Sequence, residues 1–237
     1  MEISAKTDKG RVRELNEDSC FVAEHEKFVV AVVADGMGGH NAGEIASLCA
    51  TEGLKDYISS EDITENTNEK LLECFKKINS DIYKKGVTTR GLIGMGTTLT
   101  CAVIIEDKIH IAHVGDTRVY IINDSVTRLT EDHSYVEELL RMGRITKEEA
   151  KTHPGRNQLT RAVGTEDEIK TDLYEAQIKK GDILLLTSDG LTNMLEDDEI
   201  KEILFKYDSL DEALSELIYE ANLNGGFDNI TAVAVKY

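Results

Sequence analysis

Seven consecutive apolar residues, Phe28 to Ala34, run directly into Asp35-Gly36. A β-branched run of this kind predicts a strand buried on both faces, so the chain must place further layers on either side of a sheet. The run also delivers a carboxylate to the rim of that sheet. The pattern recurs at Asp182–Thr187, a second predicted buried strand, which ends at Ser188-Asp189-Gly190. A carboxylate beside a buried strand is costly unless it faces water, a donor or a cation.

Between these strands the periodicity changes. Ala46, Cys49, Ala50, Gly53, Leu54 and Tyr57 step by three and four, which predicts a helix with one apolar face, and Asn41 with Glu44 resembles a capping box at its start. A second helix is predicted over about 68–83, with Leu71, Cys74, Phe75, Ile78 and Ile82 on one stripe. Three strands follow at Thr97–Ile105, Ile109–Val114 and Arg118–Ile122. The links at 106–108 and 115–117 are short enough for hairpins, and hence for antiparallel pairing. Residues 131–160 are polar and partly helical, an excursion over the surface. Helices at about 198–207 and 210–222 precede a last strand, Ile230–Lys236. Short antiparallel strands with segregated helices predict an α+β fold. Without a linker or an internal repeat, residues 1–237 are read as one domain.

Charge narrows the function. There are 45 acidic and 27 basic residues, a net of −18. That disfavours nucleic acid and anionic membranes, both of which select for Lys and Arg. No apolar stretch approaches the ~20 residues of a membrane span, and the first residues lack the apolar core of a signal peptide. A cytoplasmic location and a monomer are expected. Cys20, Cys49, Cys74 and Cys101 form no CxxC pair and read as buried reduced thiols.

Four carboxylates stand out from this acidic background. Asp35 and Asp189 end buried strands, Asp228 immediately precedes the last one, and Asp116 lies between two. Asp-Gly is an ordinary turn dipeptide, and each aspartate taken singly fits a turn. Taken together, several carboxylates at one sheet rim repel one another, and a divalent cation removes that repulsion. All-oxygen ligands select Mg²⁺ or Mn²⁺.

The order of short motifs carries a resemblance. Arg13-Glu14-Leu15-Asn16-Glu17-Asp18, Asp35-Gly36-Met37-Gly38-Gly39-His40, Gly96-Thr97-Thr98, Val114-Gly115-Asp116-Thr117-Arg118, Ser188-Asp189-Gly190 and Gly226-Phe227-Asp228-Asn229-Ile230-Thr231 occur in sequence. Nearly the whole chain resembles the metal-dependent type 2C (PPM) protein serine/threonine phosphatases in their compact bacterial form. The resemblance implies two packed antiparallel sheets flanked by helices, a four-layer α-β-β-α sandwich. It implies hydrolysis of phosphoserine and phosphothreonine in proteins by a hydroxide bridging two metals, Mn²⁺ or Mg²⁺, with a third in bacterial relatives. By resemblance, Asp35 bridges the metal pair, Gly36 lends a carbonyl to one metal, and Asp189 and Asp228 bind the other. Asp18 and Glu17 hold metal or metal-bound water, and Asp116 joins Asp189 at the third site. Arg13 clamps the substrate phosphate, and 131–160 is a mobile flap beside the site. A membrane-anchored serine/threonine kinase and its targets are the implied partners.

Two positions depart from that pattern or stay open. Many eukaryotic relatives carry histidine where this chain has Met37, so His40 is read either as the acid for the leaving oxygen or as a residue of the helix start. Among the other residues, His113 is expected in the core. His25, His110, His133 and His153 are expected at the surface, and Glu131-Asp132 and 196–199 as solvated runs. Arg118 and Arg161 are candidates to pair with carboxylates near the site. Thr97 and Thr98 are expected to pack and hydrogen-bond there. A two-metal phosphodiesterase and a non-catalytic phosphoprotein-binding module are the competing readings. The first lacks a basic groove, and the second predicts a missing ligand where Asp35, Asp189 and Asp228 are all present. A calcium-binding structural protein would need an EF-hand loop, and none is found.

Overall fold

The computed structural model describes residues 1–37 and 42–237. In chain order the elements are β1 (Glu2–Asp8), β2 (Asp18–Glu24), β3 (Val29–Met37), α1 (Gly43–Ser60), α2 (Thr67–Thr88), β4 (Gly96–Thr97), β5 (Leu99–Ile105), β6 (Lys108–Val114), β7 (Arg118–Ile122) and β8 (Val126–Arg128). They continue with α3 (Tyr135–Arg141), α4 (Lys147–Thr152), β9 (Asp172–Gln177), β10 (Ile183–Thr187), α5 (Asp189–Thr192), α6 (Asp197–Lys206), α7 (Leu210–Leu223) and β11 (Ile230–Lys236). One sheet has the order β1-β11-β10-β7-β8 and the other β2-β3-β5-β6-β9, with β4 paired to β3. All strand pairs are antiparallel.

Burial explains the unbroken apolar runs. Along β3, Val30, Val32 and Ala34 pack against α1 and α2, while Val29, Ala31 and Val33 face the other sheet. On β10, Leu184 and Leu186 face between the sheets, and Ile183 and Leu185 pack on α6 and α7. With both faces covered, every position of a central strand is apolar, and strand alternation disappears. The result is four layers: α1 and α2, one sheet, the other sheet, α6 and α7.

The structure corrects three local expectations. The segment 115–117 is not a hairpin: β6 pairs with β5 and β9, and β7 with β10 and β8. It hands the chain from one sheet to the other, with Gly115 at φ +116. A Cβ there would lie 2.4 Å from the Thr98 side chain, so both the dihedral and the space require glycine. This crossing sets Asp116 where the two sheets meet. The buried stripe of α1 is also rotated from its apolar residues. Ser47 and Thr51 are buried, while Cys49 and Tyr57 are only half-buried. Ser47 Oγ donates to the Glu17 carbonyl (2.6 Å), and Thr51 shares a hydrogen bond with Ser19 (2.7 Å), so these small polar groups are satisfied against β2. All four cysteines are free, but only Cys74 and Cys101 are fully buried. The expected Asn41 cap lies outside the described residues.

Candidate active site

β2 and β3 pair with Asp18 opposite Asp35, which brings two carboxylates from one sheet side by side. The Asp35 backbone is fixed from both directions. Its N–H donates to Thr98 Oγ1 (2.8 Å), and its carbonyl accepts from Thr97 Oγ1 (2.9 Å) and the Thr98 N–H (2.8 Å). Thr97 and Thr98 thus hold the end of the strand, as expected. The neighbouring strands β10 and β11 of the other sheet bring Asp189 and Asp228 to the same rim. Asp116, at the crossing, completes the group.

Asp18 ties the sheets together. Its Oδ2 accepts from Ser188 Oγ (2.8 Å) and Thr231 Oγ1 (2.6 Å), on the opposite sheet. Its Oδ1 is buried without a donor, and so is Oδ1 of Asp189. Bare buried carboxylate oxygens carry a full desolvation cost, which a cation would relieve.

The mutual repulsion is visible in the acidities. Burial, followed by the charges of Asp18, Asp189, Asp116 and Asp228, holds the Asp35 carboxyl well above the usual carboxylate range. Burial raises Asp18 to about 7 against the opposing hydrogen bonds from Thr231 and Ser188, with Asp189 and Asp228 adding to the rise. Asp189 rises to about 6 through burial and then Asp228. Asp116 lies well above its usual range through burial, Asp189 and Asp132, with Arg118 acting in the opposite sense. Glu17 is pushed up by burial and held back by Arg13. The Asp35 carboxyl feels the charges of the other four, which places the five aspartates at one site.

The residues fit divalent cations. They supply oxygen alone, and two of those oxygens are without partners. Among the described residues no three acidic or other metal-binding side chains close into a cage around one point. An open carboxylate rim suits Mg²⁺ or Mn²⁺, which keep several waters. Gly36 is wedged into this rim: an added Cβ would meet the Gly43 carbonyl oxygen at 2.2 Å and that of Glu17 at 2.5 Å. These obstacles are backbone atoms that cannot rotate away. Gly36→Ala is therefore expected to destabilise the fold by about 3 kcal/mol, read as a lower urea midpoint at unchanged slope.

Arg13 reaches the rim from the loop between β1 and β2. Its half-exposed side chain donates from Nη2 to Asp228 Oδ2 (2.7 Å), and Nη1 lies 4.0 Å from Glu17 Oε2. His40 lies outside the described residues.

The pattern of the protein phosphatase 2C family matches residues 8–222. The chain belongs to the protein phosphatase 2C family. It is 42% identical over 241 residues to the serine/threonine phosphatase stp of Listeria innocua, spanning 100% of this chain and 96% of that one. The crystal structure of the serine/threonine phosphatase Stp1 from Staphylococcus aureus superposes with a TM-score of 0.94 at 38% identity, covering 100% of this chain and 94% of the other. The catalytic domain of the serine/threonine protein phosphatase PstP, solved with two manganese ions, gives a TM-score of 0.87 at 35% identity, covering 98% and 96%. The two-sheet architecture expected from the resemblance is thus shared with solved members of the family.

Around the acidic rim, this member of the 2C family also builds polar contacts that differ from expectation. His133 is buried, not at the surface: its Nδ1 accepts from the Gly115 N–H (3.0 Å), and its Nε2 lies 3.1 Å from Asp172. The Gly115 carbonyl accepts in turn from the His133 N–H (2.7 Å). The corner bearing Asp116 is therefore stitched to the start of the 131–160 excursion. Asp132 is buried too, where a solvated run was expected, because Arg118 and Arg128 both bond it (2.8 and 2.7 Å). Arg161 pairs with Asp172 (2.8 Å). His113 is in the core as expected, bonded to Thr100 (2.8 Å) and the Glu131 carbonyl (3.0 Å). The sequence marks Asn229 only by its place beside Asp228 and before a buried strand.

Proposed function

We propose that the five-aspartate rim is the centre of a metal-dependent protein serine/threonine phosphatase that hydrolyses phosphoserine and phosphothreonine in proteins. The observation that carries this reading is the convergence of Asp18, Asp35, Asp116, Asp189 and Asp228 from both sheets, with two buried oxygens lacking any donor. In this reading Asp35, the Gly36 carbonyl, Asp189 and Asp228 would hold a metal pair, with Asp35 shared between the two ions. Asp18 and Glu17 would hold metal or its waters, and Asp116 with Asp189 would hold a third ion. Two cations of the Mn²⁺ or Mg²⁺ type would supply an acidified water at neutral pH and offset the charge of the phosphate. Arg13 offers a planar fork for two phosphate oxygens, and its pairing with Asp228 holds that fork at the rim until phosphate arrives.

The substrates we propose are phosphoproteins, including a membrane-anchored serine/threonine kinase and its targets. We place residues 1–237 in one domain acting as a monomer, with 131–160 flanking the site through the His133 contact to Gly115. A cytoplasmic location fits four free thiols, and among the described residues no helix is long and apolar enough to cross a membrane. The net charge of −18 argues against nucleic acid as a substrate.

The purified protein should release phosphate from a phosphothreonine peptide in Mn²⁺, stop in excess chelator, and resume when Mn²⁺ is returned. Turnover that persists at full rate in chelator would remove the metal from the reaction.

A further inference from the structure

The loop from Lys9 to Glu17 carries Arg13 but forms neither helix nor strand, and most of it is exposed. A buried side chain from the far end of the chain bonds its backbone on both sides of Arg13. Asn229 is only 4% exposed. Its Oδ1 accepts from the Glu17 N–H (2.8 Å), and its Nδ2 donates to the carbonyls of Lys9 (2.9 Å) and Leu15 (2.9 Å). Both amide donors and the acceptor are used, all on backbone groups that bracket Arg13.

The adjacent residue takes the other end of the arginine. The Asn229 N–H donates to Asp228 Oδ1 (2.9 Å), while Arg13 Nη2 donates to Asp228 Oδ2 (2.7 Å). Close backbone packing completes the seat. The Arg11 N–H donates to the Gly226 carbonyl (2.8 Å), and a Cβ on Gly10 would fall 2.1 Å from the Asp228 carbonyl oxygen. Asp228-Asn229 is therefore one unit that fixes the loop backbone through the amide and meets the guanidinium through the carboxylate.

We infer that Asn229 is a positioning residue that sets Arg13 to receive the substrate phosphate. The inference rests on Arg13 being the phosphate clamp. A planar fork gains from two parallel hydrogen bonds only when its base is held in place. Without Asn229, the backbone on either side of Arg13 loses three of its anchors, and the guanidinium has to be set in place at the moment phosphate binds. That weakens phosphate binding, whereas chemistry on substrate already bound continues. The signature is a change in KM with little change in kcat.

The test is a double-mutant cycle on the full-length protein at saturating Mn²⁺, with a phosphothreonine peptide as substrate and inorganic phosphate as competitive inhibitor. Asn229→Ala should raise KM and the inhibition constant of phosphate roughly tenfold, with kcat within about threefold. Added to Arg13→Ala, it should raise KM no further, because its effect passes through that side chain. Calorimetric Mn²⁺ binding should be unchanged, which separates loop placement from damage to Asp228. Multiplying effects in the double variant, an unchanged KM in Asn229→Ala, or lost Mn²⁺ affinity would each overturn the role of Asn229. An unchanged KM in Arg13→Ala would instead overturn the clamp reading itself. Should Asn229→Ala fail to fold, Asn229→Ser, which admits a water to bridge to Lys9 and Leu15, should show the same KM-selective loss in smaller measure. A kcat-selective loss there would equally overturn the proposal.

Discussion

Asp35→Asn is expected to lower turnover of a phosphothreonine peptide by about 10³-fold, which corresponds to about 4 kcal/mol of lost transition-state stabilisation. It should also raise the melting temperature of the metal-stripped protein. Both effects come from one charge. Asp35 feels Asp18, Asp189, Asp116 and Asp228 at once, more of the cluster than any other member, so its removal weakens the whole site for dications. Asparagine keeps the shape of the side chain, and the backbone bonds to Thr97 and Thr98 do not depend on the carboxylate. Without metal, the same charge is only a source of repulsion in a buried place, and losing it is favourable. Steady-state kinetics and melting followed by circular dichroism measure the two halves. Retained turnover would show that Asp35 is not central to the reaction. A lower metal-free melting temperature would show that the aspartates do not strain the empty fold.

That opposition between stability and activity explains which parts of the protein could be read from sequence. β3, β5, β6, β7, β10 and β11 are central in their sheets, and their runs announced them. β1, β2, β8 and β9 are the four edges, and the sequence pattern marks none of them. Edge strands are covered less completely, so residues such as Lys6, Ser19 and Glu175 are tolerated and apolar runs stay short, the longest being Cys20–Ala23 in β2. Asp35, Asp116, Asp189 and Asp228 are legible because they sit at the ends of buried strands, which is a property of the sequence itself, whereas Asp18, at the start of the edge strand β2, is reached only through the resemblance. Asp132, His133 and Asn229 were not legible. Their meaning lies in partners distant along the chain: Arg118 for Asp132, Gly115 for His133, and Lys9, Leu15 and Glu17 for Asn229. The crossing at 115–117 resembles a hairpin for a related reason. A three-residue link looks alike whether the next strand stays in its sheet or joins another, and only the pairing partners of β7 decide it.

The stability conferred by Mn²⁺ should be large near pH 7.5 and mostly lost by pH 5. Asp18, Asp35, Asp116 and Asp189 all have folded-state pKa values above the ordinary range, with Asp18 at about 7 and Asp189 at about 6. A carboxyl with a raised folded value binds its proton more tightly in the folded chain than in the unfolded one. As pH falls from about 7 toward the ordinary value near 4, the folded state takes up protons first, and the metal-free fold gains stability. Three histidines act in the opposite direction. His113, lowered to about 3 by burial and then His133, and also His110 and His133, withhold protons that the unfolded chain accepts below about 6.5. A melting curve of one form alone mixes both contributions. The difference between Mn²⁺-saturated and metal-stripped protein removes the histidines, which titrate in both forms, and leaves the aspartates, which only the metal-stripped form protonates. At a hundredfold excess over its dissociation constant, Mn²⁺ should add about 2.7 kcal/mol at pH 7.5. For a chain of this length that is a rise of roughly 5–10 °C in melting temperature. Protons compete for the same oxygens, so at the same Mn²⁺ concentration the rise should shrink below about pH 6.5 and nearly vanish at pH 5. A rise that stays constant from pH 7.5 to 5 would mean that Mn²⁺ binds somewhere other than the five-aspartate rim.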